Sequence, residues 1–514
     1  MTFEIVFVLL SLLGMVAALV ADKMRPGMIL FSVVVLFLCA GILTPKEMLE
    51  GFSNKGMITV ALLFLVSEGI RQSGTLGQVI KKLLPQGKTT VFKAQLRILP
   101  SVAFISAFLN NTPVVVIFAP IIKHWAKSVN LPATKFLIPL SYVTILGGIC
   151  TLIGTSTNLV VHGMILEAGF EGFSMFELGK VGIFIAIAGI IYIFLFSKRL
   201  LPDARPDTAV PDEEVEEGEK LHRVEAVLGA RFPGINKKLK DFNFQRHYGA
   251  EVKEIKTRNG QRFVSNLEEV VLHEGDTLVV MADDTFIPTW GESSVFVLLT
   301  NGNDPDTSGK KKRWLALILL VLMIVGATVG ELPATKEMFP DIKLDMFFFV
   351  CITTIIMAWT NIFPARKYTK YISWDILITI ACAFAISKAM VNSGVADCVA
   401  GFIIGLSDDY GPHVLLAILF VITNLFTELI TNNAAAALAF PLALSISAQL
   451  GVSPTPFFVV ICMAASASFS TPIGYQTNLI VQGIGNYKFT DFVRIGLPLN
   501  ITVSYTHLTL PTNS

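Results

Sequence analysis

The sequence predicts an all-α polytopic membrane protein: an inverted repeat with two re-entrant hairpins and broken helices, interrupted by a small cytoplasmic α/β insertion. Three observations predict it. First, the 514 residues are 53% hydrophobic and only 15% charged, against roughly 25% charged in a soluble globule, and many windows approach the ~20 apolar residues that cross a bilayer. Second, a polar stretch recurs within strongly apolar sequence, once as Phe108-Leu109-Asn110-Asn111-Thr112-Pro113 running on to Pro120, and again as Leu429-Ile430-Thr431-Asn432-Asn433-Ala434 running on to Pro441. Asn111 and Asn432 lie 321 positions apart, as do Pro120 and Pro441. Third, residues 198–313 break the hydropathy with acids and short β-branched runs.

In chain order, residues 5–21 and 28–43 read as spans joined by Asp22-Lys23-Met24-Arg25-Pro26, and Met57–Arg71 as a third. Met1-Thr2-Phe3-Glu4 lacks a basic n-region and more spans follow, so the first run reads as a helix and not a cleaved signal. A basic stretch with Arg71, Lys81, Lys82, Lys88, Lys93 and Arg97 leads to residues 98–122, where Pro100, Pro113 and Pro120 bracket the polar motif. Proline cannot continue a helix interior, so a re-entrant hairpin with a polar tip is expected. Residues 136–165 and a span at about 181–197 complete a first membrane repeat, 1–200.

Residues 201–220 read as an acidic linker: the run 203–219 holds eight acids with Pro202, Pro206 and Pro211 close by. Val224–Leu228, Ala250–Thr257 and Asp276–Met281 are strand-like runs, which predict a soluble domain over 221–292. Residues 293–313 form a second linker. The second membrane repeat, 314–502, has spans near 314–330, 344–360 and 374–391, a hairpin at about 413–448, and 457–485. After Gly496 about half a helix is expected. Val503-Ser504-Tyr505-Thr506-His507-Leu508 resembles translated sequencing-adapter sequence, so 503–514 reads as a non-native tail with the true C-terminus missing.

Lys and Arg set the orientation. Lys198-Arg199 and Lys310-Lys311-Lys312-Arg313 flank the insertion and place it in the cytoplasm. Loops 22–25, 71–97, 123–135 and 366–370 then also fall inside and are basic, whereas 391–412 and 449–456 fall outside and contain no Lys or Arg. This pattern closes only if the two hairpins enter from opposite faces. Ser73-Gly74 answers Ser393-Gly394, and Gly154 with Thr157-Asn158-Leu159 answers Gly474 with Thr477-Asn478-Leu479, all at an offset of 320; Ser106 answers Thr427 at 321. A repeat that starts inside in one copy and outside in the other is the architecture of many secondary transporters. Uncharged Asn and Thr both donate to an anion and accept from a cation, and free N–H and C=O groups at helix ends favour an anion and a cation respectively. Two Na⁺ beside one divalent anion would neutralise it.

At these residues the chain resembles the divalent anion/sodium symporters, the solute-carrier family of dicarboxylate and sulfate transporters within a wider ion-transporter superfamily. The family signature is a Ser-Asn-Thr tip in each hairpin; here the tips read Asn110-Asn111-Thr112 and Thr431-Asn432-Asn433, each keeping the central Asn. The resemblance spans both membrane halves. It implies Na⁺-coupled uptake of a divalent anion, sulfate or a di- or tricarboxylate, by a homodimer with an elevator-like transport domain. Substrate would be held by Asn110, Asn111, Thr112, Thr431, Asn432 and Asn433. The Na⁺ sites would be framed by Ser106, Asn111, Gly154, Thr155, Thr157 and Asn158 in one half, and by Thr427, Asn432, Gly474, Thr477 and Asn478 in the other. Phe232-Pro233-Gly234-Ile235-Asn236, Tyr248-Gly249-Ala250 and Gly275-Asp276-Thr277-Leu278 resemble the TrkA C-terminal domain of potassium-uptake regulators, which implies a ligand-sensing or dimerising module that takes a small ligand.

Other readings are weaker. A net charge of +1 offers no case for nucleic acid. The six cysteines are scattered singly and read as small hydrophobes. Asn110-Asn111-Thr112 fits a glycosylation sequon but lies at membrane depth, and Gly87-Lys88-Thr89 lacks the P-loop glycine at 82. No catalytic residue and no organic cofactor are expected. Gly326–Gly330 reads as a packing motif. Glu68 and Glu428 are intramembrane acids with either a proton or cation role or a hydrogen-bonded structural one. The alternative function is a cation channel or antiporter gated by the regulator-like insertion, although no Thr-Val-Gly-Tyr-Gly filter is present. A third reading is a transport-dead sensor of anion levels.

Overall fold

The computed structural model describes residues 3–21, 24–203, 222–229, 231–257, 261–283, 286, 290, 295–300, 310–339, 341–405 and 412–509. The expected spans are the helices Phe3–Ala21, Pro26–Cys39, Lys55–Gln72, Gly179–Leu200, Lys310–Gly330, Met346–Trp359 and Trp374–Asn392. Six helices among the described residues are long and apolar enough to cross a membrane. Their faces are sorted in the opposite sense to a soluble protein. On Gly179–Leu200, Gly182, Ala186 and Gly189 are buried, while Ile183, Phe184, Ile187, Ile191 and Leu195 are exposed. Such a stripe of large aliphatics would drive aggregation in water. In hydrocarbon it is the solvated face, and the small residues let neighbouring backbones approach. The chain is a multi-pass membrane protein. Gly326 packs against the Phe349 ring and Gly330 against the Leu344 backbone, so the Gly326–Gly330 motif seats Lys310–Gly330 on a neighbour in the same chain.

Each polar motif turns a helical hairpin. Val91–Ser106 leads into Asn111–Ser128, and Pro412–Leu429 into Asn432–Leu450. Both run beyond the expected 98–122 and 413–448, because Pro100, Pro120 and Pro441 lie inside helices instead of ending them. Packed neighbours can satisfy the carbonyl that a proline frees, which is why intramembrane helices tolerate it. Each hairpin is followed by a broken helix: Leu137–Gly148 then Ser156–Glu167 in the first half, Thr455–Ser466 then Gln476–Gly485 in the second. Gly154 sits in the first break, where a Cβ would run into the Gly148 carbonyl and come within 2.9 Å of the Ala107 carbonyl. Only glycine permits that approach.

Two features differ from the sequence expectation. The last helix runs over Phe489–Thr509 and not half that length, with Val503 and His507 buried and the His507 ring 5.7 Å from the Phe420 ring. Packing on the neighbouring hairpin carries the helix through residues whose polarity argued for a tail. Phe296–Thr300, within the segment read as a linker, is a strand.

The insertion is a five-stranded antiparallel sheet of β1 (His222–Leu228), β2 (Glu251–Lys256), β3 (Arg262–Phe263), β4 (Thr277–Ala282) and β5 (Phe296–Thr300), ordered β3-β2-β4-β1-β5. Phe232, Phe242, Phe244, Tyr248 and Phe296 form its own aromatic core. It is docked onto the membrane helices: Lys123 of the first hairpin lies 3.2 Å from Glu225 of β1, which also reaches Lys256 at 3.4 Å. The turn before β4 has Gly275 at φ +86, and its Cβ position is 3.3 Å from Leu479 in the second broken helix.

Candidate substrate and cation site

The hairpin tips and the helix breaks meet by crossing over. The first tip meets the break of the second half: Asn111 Nδ2 donates to the Tyr475 hydroxyl at 2.6 Å, and Thr112 Oγ1 donates to Gln476 Oε1 at 3.3 Å. The second tip meets the break of the first half: Ser156 Oγ and Thr157 Oγ1 each donate to Asn433 Oδ1 at 3.3 Å. Thr155 and Tyr475, which occupy equivalent places 320 positions apart, join their hydroxyls at 3.0 Å.

The contacts bring four helix N-termini to one centre, those of Asn111–Ser128, Ser156–Glu167, Asn432–Leu450 and Gln476–Gly485. Asn110, Thr155 and Tyr475 occupy the N-cap positions of three of them without capping by side chain, whereas Thr431 caps the fourth by accepting from Ala434 N. First-turn N–H groups therefore face the centre without a side-chain acceptor. Aligned N-terminal dipoles and free N–H groups favour an anion.

The C-terminal ends of the preceding segments collect oxygen instead. Ser106 Oγ lies 2.8 Å from Asn111 Oδ1 and 2.9 Å from the Thr144 carbonyl. Thr427 Oγ1 repeats the arrangement, 2.7 Å from Asn432 Oδ1 and 2.5 Å from the Ala465 carbonyl. One hydroxyl proton cannot serve two acceptors fully, so each triangle holds more lone pairs than protons, the chemistry that suits a hard cation. The amides beneath are also duplicated. Asn158 Nδ2 donates to the Gly148 and Thr151 carbonyls at 3.4 and 2.8 Å, and Asn478 Nδ2 to those of Ser468 and Thr471 at 3.0 and 3.1 Å. Asn478 Oδ1 accepts from Ser141 Oγ at 2.6 Å, and Asn158 Oδ1, fully buried, makes no hydrogen bond.

The anticipated residues are therefore gathered in two layers. Ser106, Asn111, Gly154 and Asn158 lie around one oxygen cluster, with Thr427, Asn432, Gly474 and Asn478 around its counterpart. Thr112, Thr155, Thr157 and Asn433 lie at the crossing. Thr477 Oγ1 lies 2.9 Å from Ser141 Oγ, one step from the centre. Asn110 and Thr431 serve as the residues preceding their helices. Tyr475, Gln476, Ser156 and Ser141 were not singled out from the sequence. The signal was present, since Gly474-Tyr475-Gln476-Thr477-Asn478 aligns on Gly154-Thr155-Ser156-Thr157-Asn158.

The two intramembrane acids separate. Glu68 holds a bidentate, partly buried pair with Arg71 at 2.8 and 2.6 Å and accepts from Gln72, a cluster local to one helix. Glu428, next to Thr427, accepts from Ser470 N and Asn500 Nδ2, both at 2.9 Å, which ties the second hairpin to the break and to the last helix. Its Oε2 is buried without a hydrogen bond.

Comparison with known proteins agrees with this architecture. A family profile described as citrate transporter matches residues 16–446 and 338–512. An uncharacterised transporter of Synechocystis sp. is 30% identical over 92% of this chain and 91% of its own length. A putative sulfur deprivation response regulator of Chlamydomonas reinhardtii is 28% identical, covering 92% and 96%. A probable sodium/sulfate cotransporter 3 of the same alga is 23% identical over 94% of this chain and 85% of its own length. With the matched profile spanning nearly the whole chain and the helices packed as a membrane bundle, the chain belongs to the citrate transporter family and is a multi-pass membrane transporter, not an enzyme.

Proposed function

We propose that the chain takes up a divalent oxyanion, sulfate, together with Na⁺. The observation that carries this reading is the convergence of four helix N-termini, three of them uncapped by side chain, on a centre flanked by two oxygen-rich triangles. The anion takes the N–H groups and the Asn111, Thr112, Asn432 and Asn433 side chains. Na⁺ takes the triangle of Ser106, Asn111 and the Thr144 carbonyl, and that of Thr427, Asn432 and the Ala465 carbonyl. Each Asn belongs to both layers, so filling a cation triangle orients the amide that meets the anion. A dianion buried alone in low dielectric is costly, and two cations on either side remove that cost. This is a physical route to coupling.

The sodium/sulfate cotransporter among the relatives supports the choice of ions. The matched hydrogen bonds of the two halves, together with the Lys and Arg bias of the flanking loops, support opposite membrane orientations for the halves. The reading includes alternating access by elevator-like movement of the hairpins and broken helices, and a homodimer. It keeps the insertion cytoplasmic, as a TrkA C-terminal-like sensor of a small ligand. The test is uptake of labelled sulfate, succinate and citrate into proteoliposomes with and without an inward Na⁺ gradient. Sulfate accumulation that depends on the gradient is expected; flux of Na⁺ or K⁺ with no anion uptake would overturn the reading.

A further inference from the structure

We infer that Tyr475 sets the size of the anion this transporter accepts, admitting a compact tetrahedral oxyanion and excluding a longer carboxylate. The inference rests on the transport reading above and extends it to one side chain.

The two helix breaks differ most at this point. Around it the halves agree, with Ile-Gly preceding and Thr-Asn following at both places. Between them, Thr155 in the first half is answered by Tyr475 in the second, a phenol in place of a hydroxyethyl group. If both positions held threonine, the space between the two tips would be nearly symmetric and open in the middle. Instead Tyr475 is 9% exposed, and its hydroxyl stands at the crossing, 2.6 Å from Asn111 Nδ2 and 3.0 Å from Thr155 Oγ1. One side chain thus ties the central amide of the first tip to the break of the first half, at the point where the second tip also arrives.

Two consequences follow from its chemistry. The ring occupies room into which the second carboxylate of a four-carbon or six-carbon acid would extend, whereas a tetrahedral anion places all its oxygens around one atom. The hydroxyl accepts from Asn111 and has one proton of its own to donate, so it can hand a neutral hydrogen bond to an oxyanion without placing charge beside it. A site built to donate to substrate oxygen discriminates more strongly than one that merely fits.

Two variants separate the consequences. Tyr475→Phe keeps the ring and removes the donor. The half-saturation concentration for sulfate should rise about tenfold, the loss of one hydrogen bond to a charged group, with succinate and citrate still refused. Tyr475→Thr makes the halves alike at this point. Succinate uptake should appear, and succinate should compete with sulfate. Both are read in proteoliposomes beside wild type, with thermal stability in detergent measured for each. Should Tyr475→Thr fail to fold, Tyr475→Leu removes the ring in its place, and continued refusal of succinate by that variant would overturn the inference. So would a folded Tyr475→Thr that still refuses succinate and binds sulfate as wild type does. Wild-type sulfate uptake is measured first. Its absence would strike the transport reading itself, whereas normal wild-type uptake with unchanged variants would strike only the assignment of Tyr475.

Discussion

The first and second tips share a frame and differ in what fills it. In both, a hydroxyl one turn before the Asn bonds its Oδ1 and a carbonyl of the following broken helix. In both, an Asn amide donates to the carbonyl ten residues before it and holds the break together. The spare atoms are not matched. In the first half Asn158 Oδ1 is buried with no donor, and the place 321 positions on from Ser141 is held by Cys462. In the second half Asn478 Oδ1 is satisfied, while the Ser466 and Ser468 hydroxyls and Glu428 Oε2 have no hydrogen bond. Duplication accounts for the shared frame; under the proposed function, divergence at a few positions would make the two cation sites unequal in strength and the anion site asymmetric.

The comparison can be broken most severely at the glycines. A Cβ on Gly154 meets backbone at Gly148 and Ala107, which cannot turn away, whereas a Cβ on Gly474 meets first the Ser468 hydroxyl, which can rotate, with the Thr427 carbonyl at 2.9 Å. Gly154→Ala should lower sulfate uptake by roughly a hundredfold or more, given overpacking costs of about 1–3 kcal/mol and upward. Gly474→Ala should lose about tenfold and regain part of it when combined with Ser468→Ala. Equal losses in the two halves, or no rescue, would mean that the breaks are not distinguished by these contacts.

Asn111→Ala and Asn432→Ala come next. Each removes a side chain shared by both layers, so Na⁺-driven uptake should fall by roughly 10- to 100-fold, the range expected for stranding buried partners. Membrane insertion and detergent stability should persist. Asn111 is the more buried of the two and donates to Tyr475 at 2.6 Å, so its loss should be the larger. A reversed order would point to a substrate centre nearer the second tip.

Cys462→Ser is a gentler probe. It supplies the first half with the donor that Ser141 gives the second. If Asn158 Oδ1 accepts a cation, the Na⁺ half-saturation concentration should rise about threefold, on the order of 0.7 kcal/mol. A purely structural Asn158 would instead give unchanged Na⁺ dependence and a small gain in thermal stability.

The two acids should differ from each other. Glu428→Gln turns the unpartnered oxygen into an amide with no acceptor, and a loss of about threefold to tenfold in uptake is expected. Glu68→Gln should stay within about twofold, since its partners Arg71 and Gln72 lie on its own helix and not on either tip. Uptake that responds to Glu68→Gln more than to Glu428→Gln would place the functionally important carboxylate in the first half instead of the second.

By itself the sequence determined the class and the frame. Apolar runs too many and too long for a soluble core specify a membrane protein, and polar amides repeated at one offset specify two equivalent tips, because sequence spacing is preserved by duplication. Local signals were enough for the seven spans and for β1, β2 and β4. They were not enough for helix ends. Pro100 and Pro441 continue helices, and Thr506 and His507 extend the last one, because tertiary contacts outweigh local preference there. The strand Phe296–Thr300 was legible as a β-branched run but was masked by the polar residues after it.

Only the tertiary structure decided which tip meets which break. Nothing in the spacing says that Asn111 reaches Tyr475, 364 positions away, and not its own half's Thr155. That crossing follows from packing two half-bundles face to face, so that each hairpin closes the opening in the other's broken helix. It is also what turns Tyr475 from an aromatic residue beside a glycine into the side chain that stands between the two tips.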